Sequence, residues 1–250
     1  MAYEAFAGVY DAFNDDADYG ALHKTVADRL RKYGVRDGIV ADLGCGTGDL
    51  TLLLAADGYD MIGIDRSPEM LSILREKAQE AGGADLLLLC QDLGQLDLYG
   101  TVRAAVSTFD TFNHIGPYKE LARVIKRAAL FIEPGGVLLF DMNTPYKHEQ
   151  LLADNEFVLE ADDAYCVWRN RYDAPGRCTH IEIEITYPDY DEQDTEAFDE
   201  FAYTLEEICA ACTAAGLAVE EAVDGEDFGP LRPDSARYFI TAVKAAAKEN

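Results

Sequence analysis

Apolar and polar residues follow two different patterns along this chain. The first pattern predicts strands that alternate with helices. From residue 20 to about residue 141, segments with apolar residues at helical spacing separate short apolar runs. Runs of this kind are typical of strands that are buried on both faces, and they occur at residues 39–43, 61–65, 86–90, 102–107 and 137–140. The alternation predicts a parallel sheet with right-handed crossovers and helices on both faces.

The second period is two residues long and predicts antiparallel strands. Apolar and polar side chains alternate between residues 156 and 203, most clearly over residues 181–185. The tetrapeptide Asp-Ala-Pro-Gly at 173–176 predicts a turn between two of these strands. Because such strands have one solvent-exposed face, we interpret this region as a small antiparallel sheet that is inserted into the main domain.

After the inserted sheet, the first pattern resumes. Thr204 and Glu207 have the spacing of a capping box, so we expect a helix that ends near Gly216. Strands are expected at residues 217–223 and 238–244. The chain is therefore predicted to be an α/β protein with four units: an N-terminal segment with helices (1–34), an α/β core (35–150), the inserted sheet (151–203), and a C-terminal helix with two strands (204–250).

The run Asp42-Leu-Gly-Cys-Gly-Thr-Gly-Asp49 joins the first predicted strand to the next helix. Its glycines supply unusual backbone conformations and let a ligand approach the main chain closely. The helix that follows directs its N-terminal N–H groups at the same place. The dinucleotide fingerprint has a small residue where Asp49 stands, and a carboxylate is unfavourable beside a pyrophosphate. The loop therefore suits a ligand with a cationic end and no phosphate.

The same run resembles the first motif of class I S-adenosylmethionine-dependent methyltransferases. Further polar residues follow in the order of that family: Asp65 ends the second strand, Gln91 and Asp92 follow the third, and residues 107–110 follow the fourth. The resemblance covers residues 35–145 clearly. It implies a Rossmann-like sheet of seven strands, mostly parallel with an antiparallel last strand, and S-adenosylmethionine as the cofactor.

The resemblance also implies which residues hold the cofactor. Asp65 would accept hydrogen bonds from the ribose hydroxyls, Asp92 would lie near the adenine, and the glycines would hold the methionine end. Tyr10 matches a tyrosine in the N-terminal lid of similar enzymes, although a tail packed over the core explains this aromatic segment equally well. The expected cofactor-binding residues are Tyr10, Asp42, Gly44, Cys45, Gly46, Gly48, Asp65, Arg66, Met70, Gln91, Asp92, Leu93, Thr108 and Phe109.

Methyl transfer from a sulfonium is an in-line displacement, so the enzyme mainly positions the nucleophile and excludes water. A base is needed only where the acceptor arrives protonated. Asp110 and His114, after the fourth strand, are the catalytic candidates, and an ordinary hydrogen-bonded loop histidine is the other interpretation of His114. The candidates for the substrate pocket follow strands four and five or lie in the inserted sheet, and they are Asn113, Asp141, Asn143, Tyr146, His148 and Trp168.

The inserted sheet resembles that of small-molecule N-methyltransferases that act on nucleotide-linked amino sugars or glycine, where it covers the active site or makes dimer contacts. No Asn-Pro-Pro-Tyr motif follows the fourth strand. The chain has 21 basic and 47 acidic residues, and its net charge of −26 repels nucleic-acid phosphates. We therefore expect transfer to a nitrogen or oxygen of a small molecule, by a monomer or homodimer that has no nucleic-acid partner.

Three alternatives remain open at this stage: an NAD-dependent oxidoreductase, a non-catalytic S-adenosylmethionine-binding module, and a protein methyltransferase. No metal site is expected, because the one Cys-x-x-Cys pair, Cys209 and Cys212, lies in a helical pattern without a histidine nearby. The N-terminus does not resemble a signal peptide, and no apolar run has the length of a membrane span. These features predict a cytoplasmic protein without a membrane partner.

Overall fold

The computed structural model describes residues 6–13, 18–83, 86–161, 164–188 and 192–246. The strands of its larger sheet are β1 (Ile39–Leu43), β2 (Asp60–Asp65), β3 (Leu87–Cys90), β4 (Val102–Ser107), β5 (Ile132–Asn143), β10 (Leu217–Asp224) and β11 (Arg237–Lys244). They lie side by side in the order β10-β11-β5-β4-β1-β2-β3.

Strand directions confirm the predicted fold. β1 pairs in parallel with β2 and β4, β2 pairs in parallel with β3, and β4 pairs in parallel with β5. β11, the last strand in the chain, is antiparallel to both β5 and β10. The carboxyl ends of β1 to β5 therefore meet at one edge of the sheet, which is where ligands bind in open α/β sheets.

Helices lie around the larger sheet, and their starts follow local sequence signals. Ser67 Oγ accepts a hydrogen bond from the Met70 N–H at 3.2 Å, and Pro68 follows this cap in the first turn. Thr204 and Glu207 form the predicted capping box. The α-helices of the described residues are α1 (Tyr10–Phe13), α2 (Tyr19–Lys32), α3 (Asp49–Ala56), α4 (Pro68–Glu80), α5 (Tyr118–Phe131) and α6 (Leu205–Ala214).

β5 is longer than the predicted strand at 137–140. It begins at Ile132, directly after α5, and the sequence Pro134-Gly-Gly lies inside it. Against β4, Val102 pairs with Ile132 and Ala104 pairs with Val137, so β5 has additional residues between the two pairs. The Pro-Gly-Gly sequence therefore forms an irregularity within β5 and does not precede it.

The predicted inserted sheet is present between β5 and α6. Its strands, β6 (Glu156–Glu160), β7 (Tyr165–Asp173), β8 (Cys178–Tyr187) and β9 (Glu192–Phe201), follow one another as an antiparallel meander. On β8 the side chains at 179, 181, 183 and 185 are buried, and we call this side of the sheet the inner face. The register places Trp168 of β7 and Glu196, Phe198 and Glu200 of β9 on the same side.

The N-terminal segment packs on the inner face. Val9 is buried in a cluster with Ile181 and Ile183, and the side chains of Tyr10 and Phe13 pack against that cluster. Within the described residues, no helix has the length and apolar character needed to cross a membrane. Parts of the predicted units lie outside the described residues: 1–5 and 14–17 of the N-terminal unit, 84–85 of the core, 162–163 and 189–191 of the inserted sheet, and 247–250 of the C-terminal unit.

Candidate functional site

The glycine loop between β1 and α3 has a conformation that requires glycine at two positions. Gly44, Gly46 and Gly48 all have positive φ values, of 75°, 53° and 86°. A Cβ atom at Gly48 would lie 2.0 Å from Leu74 Cδ1, and one at Gly44 would lie 2.4 Å from Thr111 Cγ2. A Cβ at Gly46 would meet no atom within 4 Å. The loop is therefore packed closely at both ends and open at its middle residue.

Two acids lie at the base of this loop, the buried Asp42 and the half-buried Asp65. Asp65, at the end of β2, accepts hydrogen bonds from the N–H groups of Gly46 at 3.0 Å and Ser67 at 2.9 Å, one on each oxygen. Burial raises the pKa of Asp65, and these backbone donors oppose the rise. Asp42 accepts a hydrogen bond from Thr51 Oγ1 at 2.6 Å, and burial raises its pKa to about 7. Both carboxyls are thus fixed in place where β1 and β2 end.

After β3, the chain turns and presents a third acid. Asp92 Oδ1 accepts the Gly94 N–H at 2.7 Å and caps a short 3₁₀ turn. The Gln91 side chain donates to the Asp97 carbonyl at 3.2 Å and accepts from the Asp97 N–H at 2.9 Å. Gln91 therefore fixes the turn, and Asp92 keeps one carboxylate oxygen that no other residue of the turn uses.

A cleft of about 310 Å³ lies over these loops. That volume is within the range of small-molecule sites. Every residue that the sequence analysis assigned to the cofactor lines this cleft, and so does the catalytic candidate His114. The expected set did not include the other lining residues, which are Tyr19, Thr47, Asp49, Leu50, Gly94, Thr111, Ile115, Gly116, Glu120, Arg123 and Val124.

The lid is joined to the glycine loop by an ion-pair cluster that sequence analysis did not predict. Lys77 Nζ of α4 lies 2.6 Å from Asp11 Oδ2 of α1 and 2.9 Å from Asp49 Oδ2 of α3. Thr47 Oγ1 donates to Asp11 Oδ1 at 2.6 Å. We call these four residues the lid latch. It places α1 beside the cleft, which Tyr10 lines from the lid.

Asp141 of β5 and Arg237 of β11 hold the turn after β4 in place. Phe109 and Asp110 have positive φ values of 54° and 53°, and Asp141 accepts both of their N–H groups, at 2.9 and 2.7 Å. Arg237 of β11 donates to Asp141 at 2.7 Å and to Asp110 at 2.9 Å. Burial raises the pKa of Asp110, but the charges of Arg237 and Lys147, together with smaller contributions, outweigh burial and hold that pKa well below its usual value.

Several candidates for the substrate pocket form a buried polar network instead of lining the cleft. The Asn113 side chain donates to the backbone carbonyls of Asn143 and Phe201, at 3.2 and 2.9 Å. His148 is fully buried, and its Nδ1 lies 2.8 Å from Thr179 Oγ1 of β8. This network connects the turn after β4 with the inserted sheet. The predicted residues that do not line the cleft are Asp110, Asn113, Asp141, Asn143, Tyr146, His148 and Trp168.

His114 stands where the cleft meets the inserted sheet. Its ring packs on Phe198 with 5.2 Å between ring centroids, and its Nε2 lies 4.0 Å from Glu200 Oε1. Burial lowers the pKa of His114 to about 4, although the charge of Asp110 opposes this shift. The imidazole is therefore neutral at neutral pH and able to accept a proton. Trp168 packs on the same Phe198 ring, at 5.7 Å, and its Nε1 donates to Asn170.

The cleft fits S-adenosylmethionine chemically. That molecule offers a sulfonium cation, an ammonium group, two ribose hydroxyls and an adenine amino group, all of which favour acidic or accepting partners. The cleft has an acid at the end of each of three neighbouring strands, Asp42, Asp65 and Asp92, and open space beside Gly46. Asp49 also lines it, with its charge partly balanced by Lys77.

Comparisons with known proteins agree with this chemistry. A family model described as "Methyltransferase domain" matches residues 40–136. The putative methyltransferase YqeM of Bacillus subtilis (strain 168) is 30% identical over 171 residues, which cover 68% of this chain and 67% of the relative. A dTDP-3-amino-3,4,6-trideoxy-alpha-D-glucopyranose N,N-dimethyltransferase of Streptomyces venezuelae is 28% identical over 222 residues, which cover 86% of this chain and 90% of the relative.

A solved structure extends the likeness to nearly the whole chain. An S-adenosylmethionine-dependent methyltransferase from Clostridium acetobutylicum ATCC 824 superimposes with a TM-score of 0.87 at 26% identity, and the match covers 98% of this chain and 100% of the other. The match therefore includes the inserted sheet as well as the larger sheet. Motif, fold and relatives lead to one conclusion: this chain belongs to the class I S-adenosylmethionine-dependent methyltransferases, and S-adenosylmethionine is its cofactor.

Proposed function

We propose that this methyltransferase transfers the methyl group to a nitrogen of a small molecule. The observation that carries the proposal is the position of His114, a neutral imidazole on the wall of the cleft beside the inner face of the inserted sheet. An amine acceptor is protonated at neutral pH and must lose a proton before its lone pair can attack. An alkyl hydroxyl is a much weaker acid than an ammonium group, so a histidine whose pKa burial lowers to about 4 favours the amine over the hydroxyl.

The relative that acts on a dTDP-linked amino sugar at nitrogen supports the same acceptor atom. A small acceptor also agrees with the net charge of −26, which disfavours a nucleic-acid partner. In this proposal residues 1–34 are the lid, residues 35–150 hold the cofactor, residues 204–250 complete the core, and residues 151–203 cover the acceptor. An oxygen acceptor and a protein side chain remain the alternatives to a small-molecule nitrogen.

We assign the roles within the cleft as follows. The loop from Gly44 to Gly48 holds the methionine end, Asp65 accepts from the ribose hydroxyls, and Asp92 accepts from the adenine amino group. Bound S-adenosylmethionine supplies a methyl group that is already activated by the sulfonium. The protein orients the acceptor, excludes water by closing the lid with Tyr10, and takes up the acceptor's proton on the imidazole of His114.

The proposal is tested with matched pairs of acceptors that differ only in an amino or a hydroxyl group, starting with nucleotide-linked sugars. The formation of S-adenosylhomocysteine and the mass of the product are measured for each pair. We expect N-methylated products from the amino members. Equal or preferential turnover of the hydroxyl members would contradict nitrogen as the acceptor atom.

A histidine pair provides the control at the level of the protein. His114→Asn should lower the rate of transfer by about 100-fold, the usual effect of a lost general base. His23→Asn should leave the rate unchanged, because His23 lies on α2 and is paired with Asp57 at the surface. Equal rates for wild type and His114→Asn would remove His114 from the chemistry.

A further inference from the structure

The inner face of the inserted sheet presents a carboxyl to the back of His114. Glu200 of β9 is only 3% exposed, and its Oε2 accepts a hydrogen bond from Asn143 Nδ2 at 3.2 Å. Its other oxygen, Oε1, is the atom that lies 4.0 Å from His114 Nε2. Glu200 does not line the cleft, so any effect on the acceptor has to pass through the imidazole.

The charged groups around Glu200 come from three different parts of the chain. Asp110 precedes the 3₁₀ turn that carries His114, Lys147 follows β5, and Arg237 belongs to β11. Burial raises the pKa of Glu200 to about 8, with a further contribution from the charge of Asp110, while Lys147 and Arg237 oppose the rise. The carboxyl is therefore held near the point of balance between its neutral and ionised forms at physiological pH.

The neighbouring acids, Asp110 and Asp141, cannot act on His114 as Glu200 can. Asp110 is hydrogen-bonded to Arg237 at 2.9 Å and to Asn143 Nδ2 at 3.0 Å, and Arg237 keeps it ionised. Asp141 accepts two backbone N–H groups and the second arm of Arg237. Both carboxylates are thus committed to holding the turn, whereas Glu200 Oε1 faces the histidine.

Resting on the proposed function, we propose that Glu200 is a positioning residue that orients His114 and shares the proton that His114 removes from the acceptor amine. The acceptor N–H bond breaks with its electron pair left on nitrogen, and the proton moves to the imidazole of His114, whose Nε2 faces Glu200. The nitrogen lone pair then forms the bond to the methyl carbon, while the C–S bond of the donor breaks with its pair on sulfur. The ionised Glu200 carboxylate stabilises the imidazolium and takes the proton from it.

The same side chains could also bind a divalent cation, and the test must distinguish a bound cation from proton transfer. Ligand atoms of Asp110, His114 and Glu200 lie within 4.8 Å of one another, as in a site for a divalent cation. The positive charges of Arg237 and Lys147 act on the same carboxylates and oppose a second cation there. Transfer of a proton between His114 and Glu200, unlike the binding of a divalent cation, adds no charge to this cluster.

The experiment compares wild type, Glu200→Gln and Glu200→Asp with the best amine acceptor over a range from about pH 6 to about pH 10. Glu182→Gln is the matched control, because Glu182 is an exposed residue of β8 that the register places on the opposite face of the same sheet. In wild type, kcat should rise with pH with a midpoint near 8, as Glu200 ionises. Glu200→Gln should lose this rise and lower kcat about 100-fold with little change in KM, and Glu200→Asp should restore part of both.

The acceptor amine titrates identically in all variants, so only the difference between profiles reports Glu200. A Glu200→Gln profile with the same shape as wild type, or a loss of wild-type activity on chelation of divalent cations, would overturn the proposal. Unchanged binding of S-adenosylhomocysteine shows that the variants are folded.

A second measurement does not depend on turnover and separates this proposal from the proposed function. The chain has 4 histidines, so the NMR signals of the His114 ring can be assigned with the His114→Asn variant. In wild type these signals should shift with a midpoint near pH 8, when the neighbouring carboxyl of Glu200 ionises. The shift should be absent in Glu200→Gln. If it persists there, the proposal fails; if it behaves as expected but no amine is methylated, the proposed function fails instead.

Discussion

Loss of the lid latch should weaken cofactor binding by a measurable and limited amount. Lys77→Met removes the ion pair between α4 and Asp11 on the lid, as well as the pair with Asp49. The side chains of Lys77, Asp11 and Asp49 are 24%, 43% and 32% exposed, so water screens both pairs partly. A pair of this kind contributes about 0.2–1 kcal/mol, and the upper end corresponds to about a fivefold change in Kd.

The choice of ligand separates closure of the lid from simple charge effects. Without Lys77, the carboxylates of Asp11 and Asp49 leave the cleft more acidic, and this attracts the sulfonium of S-adenosylmethionine. S-Adenosylhomocysteine has no sulfonium, so calorimetry should show the full increase of about fivefold in its Kd. The increase for S-adenosylmethionine should be smaller. Added salt should weaken binding to wild type more than binding to the variant, because salt screens the latch.

A double-mutant cycle identifies the contact between lid and core. Lys77→Met and Asp11→Asn should be less than additive, because either change breaks the same ion pair. Lys24→Met is the matched control, since Lys24 lies on α2 and pairs with Asp28 at the surface. Additive effects within about 0.3 kcal/mol, or a Kd for S-adenosylhomocysteine that Lys77→Met leaves unchanged, would refute the latch.

Three further predictions concern stability. Gly48→Ala places a Cβ 2.0 Å from Leu74 at a φ of 86° and should lower both the unfolding temperature and the cofactor affinity. Gly58→Ala is the control, because Gly58 also has a positive φ but no atom lies within 4 Å of its added Cβ. In thermal melts Gly58→Ala should lower the unfolding temperature less than Gly48→Ala does. Arg237→Met leaves the buried carboxylate of Asp141 and the half-buried carboxylate of Asp110 without their cation. It should destabilise the fold by about 3 kcal/mol in denaturant titrations, and an unchanged midpoint would contradict this role of Arg237. Asp42→Asn removes a carboxyl whose pKa is raised from 3.8 to about 7, so wild type loses stability relative to the variant as pH rises between these values; a difference that is independent of pH would contradict the shift.

The donor half of the site could be predicted because its signals are local in the sequence. Asp42, Asp65 and Asp92 each follow an apolar run that is recognisable as a buried strand, and parallel strands bring their carboxyl ends to one edge. The glycine spacing adds a loop that only glycine can form at Gly48. The order of these signals along the chain was therefore sufficient to place the cleft.

The remaining contacts depend on elements that are distant in the chain. Arg237 meets Asp141 and Asp110 across 96 and 127 residues, and nothing near Arg237 in the sequence indicates that β11 lies beside β5. Glu200 is one of many acids in an alternating strand, and only the packing of the inserted sheet decides that its side faces His114. Lys77 likewise reads as an ordinary charged residue of an amphipathic helix until α1 is placed against it.

The short helix α1 contacts two parts of the molecule at once, because Tyr10 lines the cleft and also packs against the inner face of the inserted sheet. A ligand that fixes α1 over the cleft therefore changes the free energy of fixing α1 over an acceptor beside the inserted sheet. By thermodynamic reciprocity, the donor must then raise the affinity for the acceptor by the same factor that the acceptor raises the affinity for the donor. When α1 closes over both reactants, it also has to open after each methylation. The exchange of products for fresh reactants is therefore itself a step that can limit turnover.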